Sequence, residues 1–375
     1  MNITDVGHLV SDGDEGEDKM EKGARREGIT ARDVAERYTQ TFLNILEKLN
    51  IRFDILPKAT DHIAEQIAMI KILEDKGYTY IIEEDGVYFD TSKMPDYGML
   101  VGKKHLEGLQ AGSRVEDVGK RNLTDFALWK FNISWKKRDM EWESPRGTGF
   151  PGWHIECSAM GTKYLGKHFD IHTGGVDHIA VHHSNEIAQS ECSICDKPWV
   201  NYWMHSQFLN SDGNKISKSL ENGYTLGQIL DKGYQAEDLV YFFYQAHYRS
   251  FQDFTWEGLE AAKKGRKGLK LIDDKGYPYE EVVAPLLQDL NTPVFLANLH
   301  KHGISTKLNS IFNLVAKEEP TENIIIPTEV QALADQRWQA KFEKNWELAD
   351  SLRNQIEEKW FKMVDQSDSY ELIKL

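Results

Sequence analysis

The strongest constraint on this chain is a block of glycine, histidine and acidic residues in its middle third. Gly152-Trp-His-Ile-Glu-Cys157 comes first, then His172-Thr-Gly-Gly-Val-Asp-His-Ile-Ala-Val-His-His-Ser-Asn-Glu186. Phe169–His172 predicts a short buried strand, Gly174-Gly175 a tight turn, His182–Cys192 a helix and Trp203–Leu209 a further strand. Strand, helix and strand in that order predict a parallel α/β sheet. On the helix, His182 and Glu186 are four residues apart, which puts them on one face, about 5–6 Å apart at Cβ. A thiolate from Cys157, arriving from elsewhere in the fold, would complete a sulfur, nitrogen and oxygen set of the kind zinc accepts. The competing reading is a buried histidine satisfied by hydrogen bonds. The paired histidines, the glycine turn and the available thiol favour the metal.

The turn Ser211-Asp-Gly-Asn214 leads into Lys215-Ile-Ser-Lys-Ser219. Taken alone this is a polar surface loop. It follows a sheet strand, however, which is where open α/β sheets bind ligands. Two ammonium groups there, Lys215 and Lys218, suit the charge of a polyphosphate. Cys192-Ser-Ile-Cys195 has no second pair to complete a four-ligand structural zinc site, and the reading preferred over a redox pair is two unremarkable thiols near a helix end. Three cysteines in 375 residues give no disulfide framework and fit a reducing compartment. The net charge of −15 argues against broad, nonspecific nucleic-acid binding. One local basic stripe stands out, Lys263, Lys264, Arg266, Lys267 and Lys270. It reads equally as a solvated helix face and as a contact for RNA phosphates. The sequence lacks a signal peptide and any long apolar run, so a cytoplasmic location is expected.

Elsewhere the chain is punctuated more plainly. Residues 11–28 read as a solvated loop with one short helix; Asp12, Asp14, Glu15 and Glu17 lack the terminal bidentate Glu of a calcium loop. Thr30 caps an amphipathic helix carrying Val34, Tyr38, Phe42, Ile45, Leu46 and Leu49, which Pro57 is expected to end. A second helix, Thr60–Lys76, stops at Gly77, and a hairpin of Tyr78–Ile82 with Gly86–Phe89 follows. Residues 90–148, with Trp129, Trp135 and Trp142, read as a turn-rich inserted module. From Thr225 onward the apolar period is three to four, which predicts a helical-bundle tail.

Three of these stretches together resemble one family, cysteinyl-tRNA synthetase of the class I aminoacyl-tRNA synthetases: Gly152–Met160, His172–Glu191 and Lys215–Asn222. Asn2–Asp5, Leu128–Lys130, Asn201–His205, His247–Ser250 and Asn291–Pro293 fall in the family's order as well, so the resemblance covers nearly the whole chain. It implies an α/β fold: an incomplete Rossmann-like parallel sheet, the class I catalytic core, with an inserted α+β module and a C-terminal helical bundle. The expected divisions are 1–58, the first part of the catalytic domain, 59–148, the inserted module, and 149–210, the second part with the zinc site. The lysine-serine loop and stem-contact region take 211–262, and a tRNA-binding bundle 263–375.

The resemblance further implies one zinc ion held by Cys157, His182, Glu186 and a fourth ligand, and bound directly by the thiolate of substrate cysteine. A soft sulfur outcompetes the hydroxyl of serine there, so discrimination needs no editing site. Thr4, Trp153 and Asp177 match the amino-acid pocket, with Asp177 toward the substrate ammonium. Lys215 and Lys218 match the mobile catalytic loop, and Ser217, Lys218 and Ser219 its ATP contacts, with Mg2+ accompanying the nucleotide. The basic stripe and the helical tail would meet the tRNA. Ile216 and Glu221 stand where the family more often has Met and Gly.

The family also carries, ahead of the strand matched by Asn2–Asp5, a His-Ile-Gly-His type signature and a cysteine that is the fourth zinc ligand. Gly7-His8 is not a substitute. The expectation is therefore a ligase impaired in cysteine activation unless a separate N-terminal fragment completes it. Two rival expectations are a cysteine ligase acting on an amino-sugar and a non-catalytic zinc- or tRNA-binding remnant.

Overall fold

The computed structural model describes residues 1–7, 19–102, 119–132, 138–217, 220, 222–315, 326–359, 361–365 and 370–374. Lys218, Ser219, Glu221, His8, Trp135 and the acidic residues Asp12, Asp14, Glu15 and Glu17 lie outside the described residues. Two compact units are present, Met1–Val315 and Ala316–Leu375.

The first unit opens with helices α1 (Lys19–Glu27) and α2 (Ala31–Lys48). Thr30 caps α2 as expected: its hydroxyl accepts from the Asp33 amide while the Asp33 carboxylate accepts from the Thr30 amide. Pro57 does not end this helix. The chain leaves it at Leu49 and turns through Asn50 at φ 54°. A single 3-10 turn, Ala59–His62, leads into α3 (Ile63–Asp75), and Gly77 at φ 77° reverses the chain beyond it.

Strands β1 (Thr79–Ile82) and β2 (Gly86–Phe89) form the expected hairpin. The module after it is more regular than its sequence indicates. Strands β3 (Phe126–Phe131) and β4 (Gly149–Pro151) extend the hairpin into an antiparallel sheet of order β1-β2-β3-β4. The first four residues of β3 are all buried, so the chain shows none of the polar alternation that marks a half-exposed strand.

Next come α4 (Trp153–Leu165), β5 (Phe169–Gly175), α5 (His182–Ile194) and β6 (Val200–Ser206). β5 and β6 pair in parallel from Phe169↔Val200 to Gly175↔Ser206, the strand–helix–strand crossover the motif block predicts. β5 is longer and more open than a short buried strand, with Ile171 54% exposed. One core joins the elements on both sides: Ile63, Ile70 and Leu73 of α3, Val87, Phe89 and Leu128 of the sheet, Ile155 and Met160 of α4, and Ile187 and Ala188 of α5. The antiparallel sheet therefore backs the two helices that carry the candidate metal ligands.

A small sheet follows, β7 (Leu209–Ser211) antiparallel to β8 (Asn214–Lys215) and parallel to β9 (Gln252–Phe254). Helices α6 (Leu226–Asp231), α7 (Ala236–Tyr244) and α8 (Trp256–Lys267) surround it. After the short strand β10 (Leu271–Ile272), helices α9 (Tyr279–Val283) and α10 (Thr292–His302), strand β11 (Ile304–Ser305), parallel to β10, and α11 (Thr306–Phe312) complete the unit. Phe242, Leu259, Phe295, Leu299 and Leu314 share a single core. The expected division at residue 263 falls inside α8, and that core runs across it.

In the second unit, α12 (Thr328–Phe342) and α13 (Trp346–Glu358) form a helical hairpin closed by Lys344 at φ 59° and by the Asn345 cap. A strand hairpin, β12 (Phe361–Asp365) with β13 (Tyr370–Lys374), follows it. Val330, Ala334, Ile356, Phe361 and Leu372 make its core. The helical period gave no sign of these strands. No described helix is long and apolar enough to cross a membrane.

Candidate functional site

Two glycines let backbone and rings approach where the site is built. Gly152 caps α4 beside β3, and a Cβ there would lie 2.0 Å from the Ala127 carbonyl oxygen. From this start α4 packs against α5. Cys157 on α4 then meets His182 and Glu186 on α5, and one ligand atom from each lies within 4.8 Å of the others, all three residues being buried. At Gly174 a Cβ would lie 2.5 Å from Cε1 of His183 and 2.8 Å from Nδ1 of His178, so the second glycine admits two imidazoles against the end of β5.

Glu186 is the hub. Its carboxylate faces His182 Nε2 at 3.4 Å, His172 Nε2 at 3.2 Å and His183 Nε2 at 3.9 Å. Fully buried, it nevertheless accepts no well-formed hydrogen bond among the described residues. His172, His183 and Glu186 make a second set of metal-type ligands within the same 4.8 Å, sharing Glu186 with the first. On the far side of His182, its Nδ1 lies 2.9 Å from Nδ1 of buried His154. His183 Nδ1 lies 2.8 Å from His205 Nε2. Sequence reasoning missed this ring of imidazoles, His154, His172, His178, His183 and His205, as site residues. The signal was there: most of them lie within the two motif segments, but only at helical spacing does one of them pair visibly with Glu186.

Burial alone would raise the Glu186 carboxyl, but the imidazoles of His182 and His172 outweigh it and hold the group well below the ordinary carboxylate range. The Cys157 thiol is pushed well above its ordinary value by burial and by the Glu186 charge, against a hydrogen bond with the Asn2 side chain. His183 is drawn down to about 3, chiefly by burial, and His178 and His205 are lowered for the same reason. A buried carboxylate, the imidazole of His182 and a thiol converging on one point are the oxygen, nitrogen and sulfur donors that fit a divalent cation of zinc type.

Trp153 and Asp177 stand near this cluster. The Trp153 ring centroid is 4.3 Å from that of His182 and 5.9 Å from that of His178. Asp177 is exposed on the turn after β5, where its Oδ1 would be 2.3 Å from a Cβ at Gly175. Thr4 is exposed, on the segment where Ile3 pairs with Lys58 and Asn2 reaches Cys157. On the lysine loop, Asp212 at φ 50° and Gly213 at φ 74° make the turn that presents Lys215, whose ammonium lies 5.5 Å from the Phe208 ring centroid. The amide of Ser217 donates to Asn222 Oδ1 at 2.9 Å, and Asn222 Nδ2 reaches the Lys215 carbonyl at 3.2 Å, so Asn222 closes the loop from within. Lys218 and Ser219 lie outside the described residues.

The basic stripe divides. Arg266 is withdrawn from it: only 6% exposed, it donates to Asp238 at 2.7 Å, to the Leu314 carbonyl at 3.1 Å and to Gln235. A guanidinium buried on three internal acceptors is not presented to a phosphate at the surface, and Arg266 is corrected to a structural role. Lys263 is half-buried and donates to the Gly233 carbonyl at 3.0 Å. Lys264, Lys267 and Lys270 are exposed, Lys264 lying 3.7 Å from Glu260.

Residues 3–264 match the family model for the class I (C) tRNA synthetase catalytic domain. The chain is 44% identical to cysteine–tRNA ligase 1 of Burkholderia lata, over 99% of this chain and 83% of that one. It is 39% identical to the cysteine–tRNA ligase of Treponema denticola (98% and 85%) and 36% identical to that of Chlamydia trachomatis serovar A (100% and 87%). Among solved structures, a methionyl-tRNA synthetase of Mycobacterium tuberculosis in complex with methionyl-adenylate superimposes with a TM-score of 0.55 at 14% identity. It covers 78% of this chain and 72% of that one, a likeness of fold.

Proposed function

The chain belongs to the cysteine–tRNA ligases of class I, and from that membership we propose how its residues divide the work of activating cysteine with ATP and passing it to tRNA. The observation that carries the reading is the buried convergence of Cys157, His182 and Glu186, next to Trp153 and the turn bearing Asp177. Cys157, His182 and Glu186 would hold one zinc ion. When bound, that ion supplies a Lewis-acidic centre which takes a thiolate in preference to a hydroxyl.

The protein's own groups do the rest. The charge on Glu186 offsets that of the cation. His154, against Nδ1 of His182, leaves Nε2, which faces Glu186, as the nitrogen that would hold the ion. Trp153 walls the pocket against water on the face of His182. Asp177 and Thr4 would take the ammonium of the amino acid and set its carboxylate toward the nucleotide. Reaction then requires attack of that carboxylate on the α-phosphorus of ATP with departure of pyrophosphate. The helpful protein groups are cations placed where negative charge grows. Lys215 and Lys218 are assigned that role, with Ser217 and Ser219 hydrogen-bonding phosphate oxygens and Mg2+ accompanying ATP. Lys264, Lys267 and Lys270 present exposed charge to the phosphates of tRNA, and Lys263 is a weaker candidate.

No relative reported above bears the name of a sugar ligase, which leaves the amino-sugar reading without support. The test is cobalt substitution. Cysteine added to the cobalt-loaded protein is expected to produce a new sulfur-to-metal charge-transfer band, and serine none. Cysteine-dependent tRNA charging should be lost in His182→Ala. A cobalt protein whose spectrum responds equally to both amino acids would sink the assignment.

A further inference from the structure

The C-terminal end of α5 carries chemistry that cysteine activation does not use. Cys195 is an exposed thiol at the left-handed cap of the helix, φ 53°. Its sulfur folds back over the last turn to within 3.6 Å of the Cys192 carbonyl. Lys76, at the end of α3, donates to that sulfur at 3.1 Å and also to the carbonyls of Ser193 and Cys192. Cys192, one turn earlier, is buried and hydrogen-bonds with Tyr78. Neither cysteine belongs to a cluster of metal-type ligands among the described residues. A metal reading of the pair is therefore left without partners, and thiol chemistry remains.

We propose that Cys195 and Cys192 form a reversible peroxide-responsive pair, with Cys195 the reacting thiol, Cys192 the resolving one, and Lys76 the cation that assists the first step. The proposal is independent of the ligase reading. Exposure selects Cys195, because an oxidant must reach the sulfur, and a cation beside a thiol helps carry the charge of the reacting thiolate. Cys157 is fully buried among the cluster residues and does not compete. The Cys192 thiol is pushed up to about 11, mainly by burial, so at neutral pH it keeps its proton and is the weaker initial nucleophile.

The steps balance with hydrogen peroxide as the named oxidant. The Cys195 thiolate attacks one peroxide oxygen; the S–O bond forms, the O–O bond breaks, and hydroxide leaves with the thiol proton as water. The Cys192 sulfur then attacks the sulfenic sulfur; the S–S bond forms, the S–O bond breaks, and the Cys192 proton leaves with the hydroxyl as a second water. Two thiols and one peroxide give one disulfide and two waters.

Geometry makes the bond labile. Cβ atoms three residues apart on a helix are about 5–6 Å from each other, whereas a disulfide holds them at about 3.5–4.5 Å. Closure must tighten the last turn by about 1–2 Å, and Cys195, already out of the helix, is the residue able to move. Strain of that kind makes a disulfide easy to reduce, as a reversible switch requires. Closure also takes the Cys195 sulfur from Lys76 and removes one of the ties between the ends of α3 and α5, the helix that carries His182 and Glu186.

The test treats the whole metal-loaded protein with graded hydrogen peroxide, blocks free thiols, and weighs the tryptic peptide 168–215, which holds both cysteines and excludes Cys157. The expected product is unalkylated and lighter by about 2 Da, and it returns to the reduced mass with dithiothreitol. Cys195→Ser, a change at an exposed position, should abolish it. Lys76→Met should slow alkylation of Cys195 by roughly 3–10-fold. The proposal is overturned if the peptide gains only oxygen, if Lys76→Met alkylates at the parent rate, or if the product is a Lys76–Cys195 cross-link, about 14 Da heavier than the two peptides together.

Discussion

Replacing Gly174 by alanine probes whether the imidazole ring is as tightly built as its distances say. The new methyl carbon would sit 2.5 Å from Cε1 and 2.7 Å from Nε2 of His183, and 2.8 Å from Nδ1 of His178, where ordinary contact begins at 3.4 Å. One or both rings must therefore retreat by close to 1 Å. His183 has little room to do so: it is 1% exposed and has the rings of His172 and Trp203 each 4.8 Å away, centroid to centroid. A shift of that size also disrupts the 2.8 Å contact between His183 and His205. Overpacking costs about 1–3 kcal/mol. A weakened buried hydrogen bond adds about 0.5–1.5 kcal/mol, for a total of roughly 2–4 kcal/mol. That corresponds to a fall in Tm of about 4–16 °C, nearer the lower figure in a unit this large. The measurement is thermal melting followed by circular dichroism on chelator-treated protein, so that metal affinity does not enter. Gly227→Ala is the control. It lies in α6 with Thr225 Oγ1, at 3.8 Å, its nearest neighbour, and should stabilise by up to about 1 kcal/mol. A Gly174→Ala protein that melts within about 1 °C of the parent would refute the reasoning, because the rings would then have slack that the distances deny.

Glu186→Gln keeps the shape of the hub and removes its charge; zinc affinity by competition with a chromophoric chelator should fall more than about 100-fold, since even outer partners of ligands are worth about 10–100-fold. Arg266→Met leaves Asp238 buried without its cation and should cost about 3–5 kcal/mol in urea unfolding, while tRNA affinity at a temperature where both proteins are folded stays unchanged. Replacing Lys264, Lys267 and Lys270 together by alanine should lower the steepness of log K against log salt for tRNA by up to about 3. Burial raises the Glu191 carboxyl, so the folded state keeps that proton after the unfolded chain has released it, and stability from this group falls as pH rises through the window above the ordinary value. Glu191→Gln, which still accepts from the Trp199 amide, should therefore gain stability relative to the parent as pH rises above the ordinary carboxyl value of about 4.5, as read by urea midpoints.

What the sequence disclosed and what it withheld follow from the range of the forces involved. The Thr30 cap, Gly77 after α3, and the β1–β2 hairpin are settled within a few residues of chain, and all of them were legible. So was the pairing of His182 with Glu186, because a helix fixes what stands four residues on. β3 was not, because a strand buried on both faces loses the alternation that would announce it. Nor was the fate of Arg266, whose neighbours in sequence are exposed lysines. Asp238 and the Leu314 carbonyl reach it only once α7, α8 and the end of the first unit share a core. The ring of imidazoles lies between these extremes. Each histidine is visible in its motif, but that three of them face one carboxylate, with others packed behind, depends on Gly152 and Gly174 leaving room for α4 beside β3 and for two imidazoles at the end of β5. Those glycines read locally as a helix start and a turn. Their larger effect is to set a buried carboxylate among imidazoles and beside a thiol, a convergence of oxygen, nitrogen and sulfur donors that a bound cation would complete.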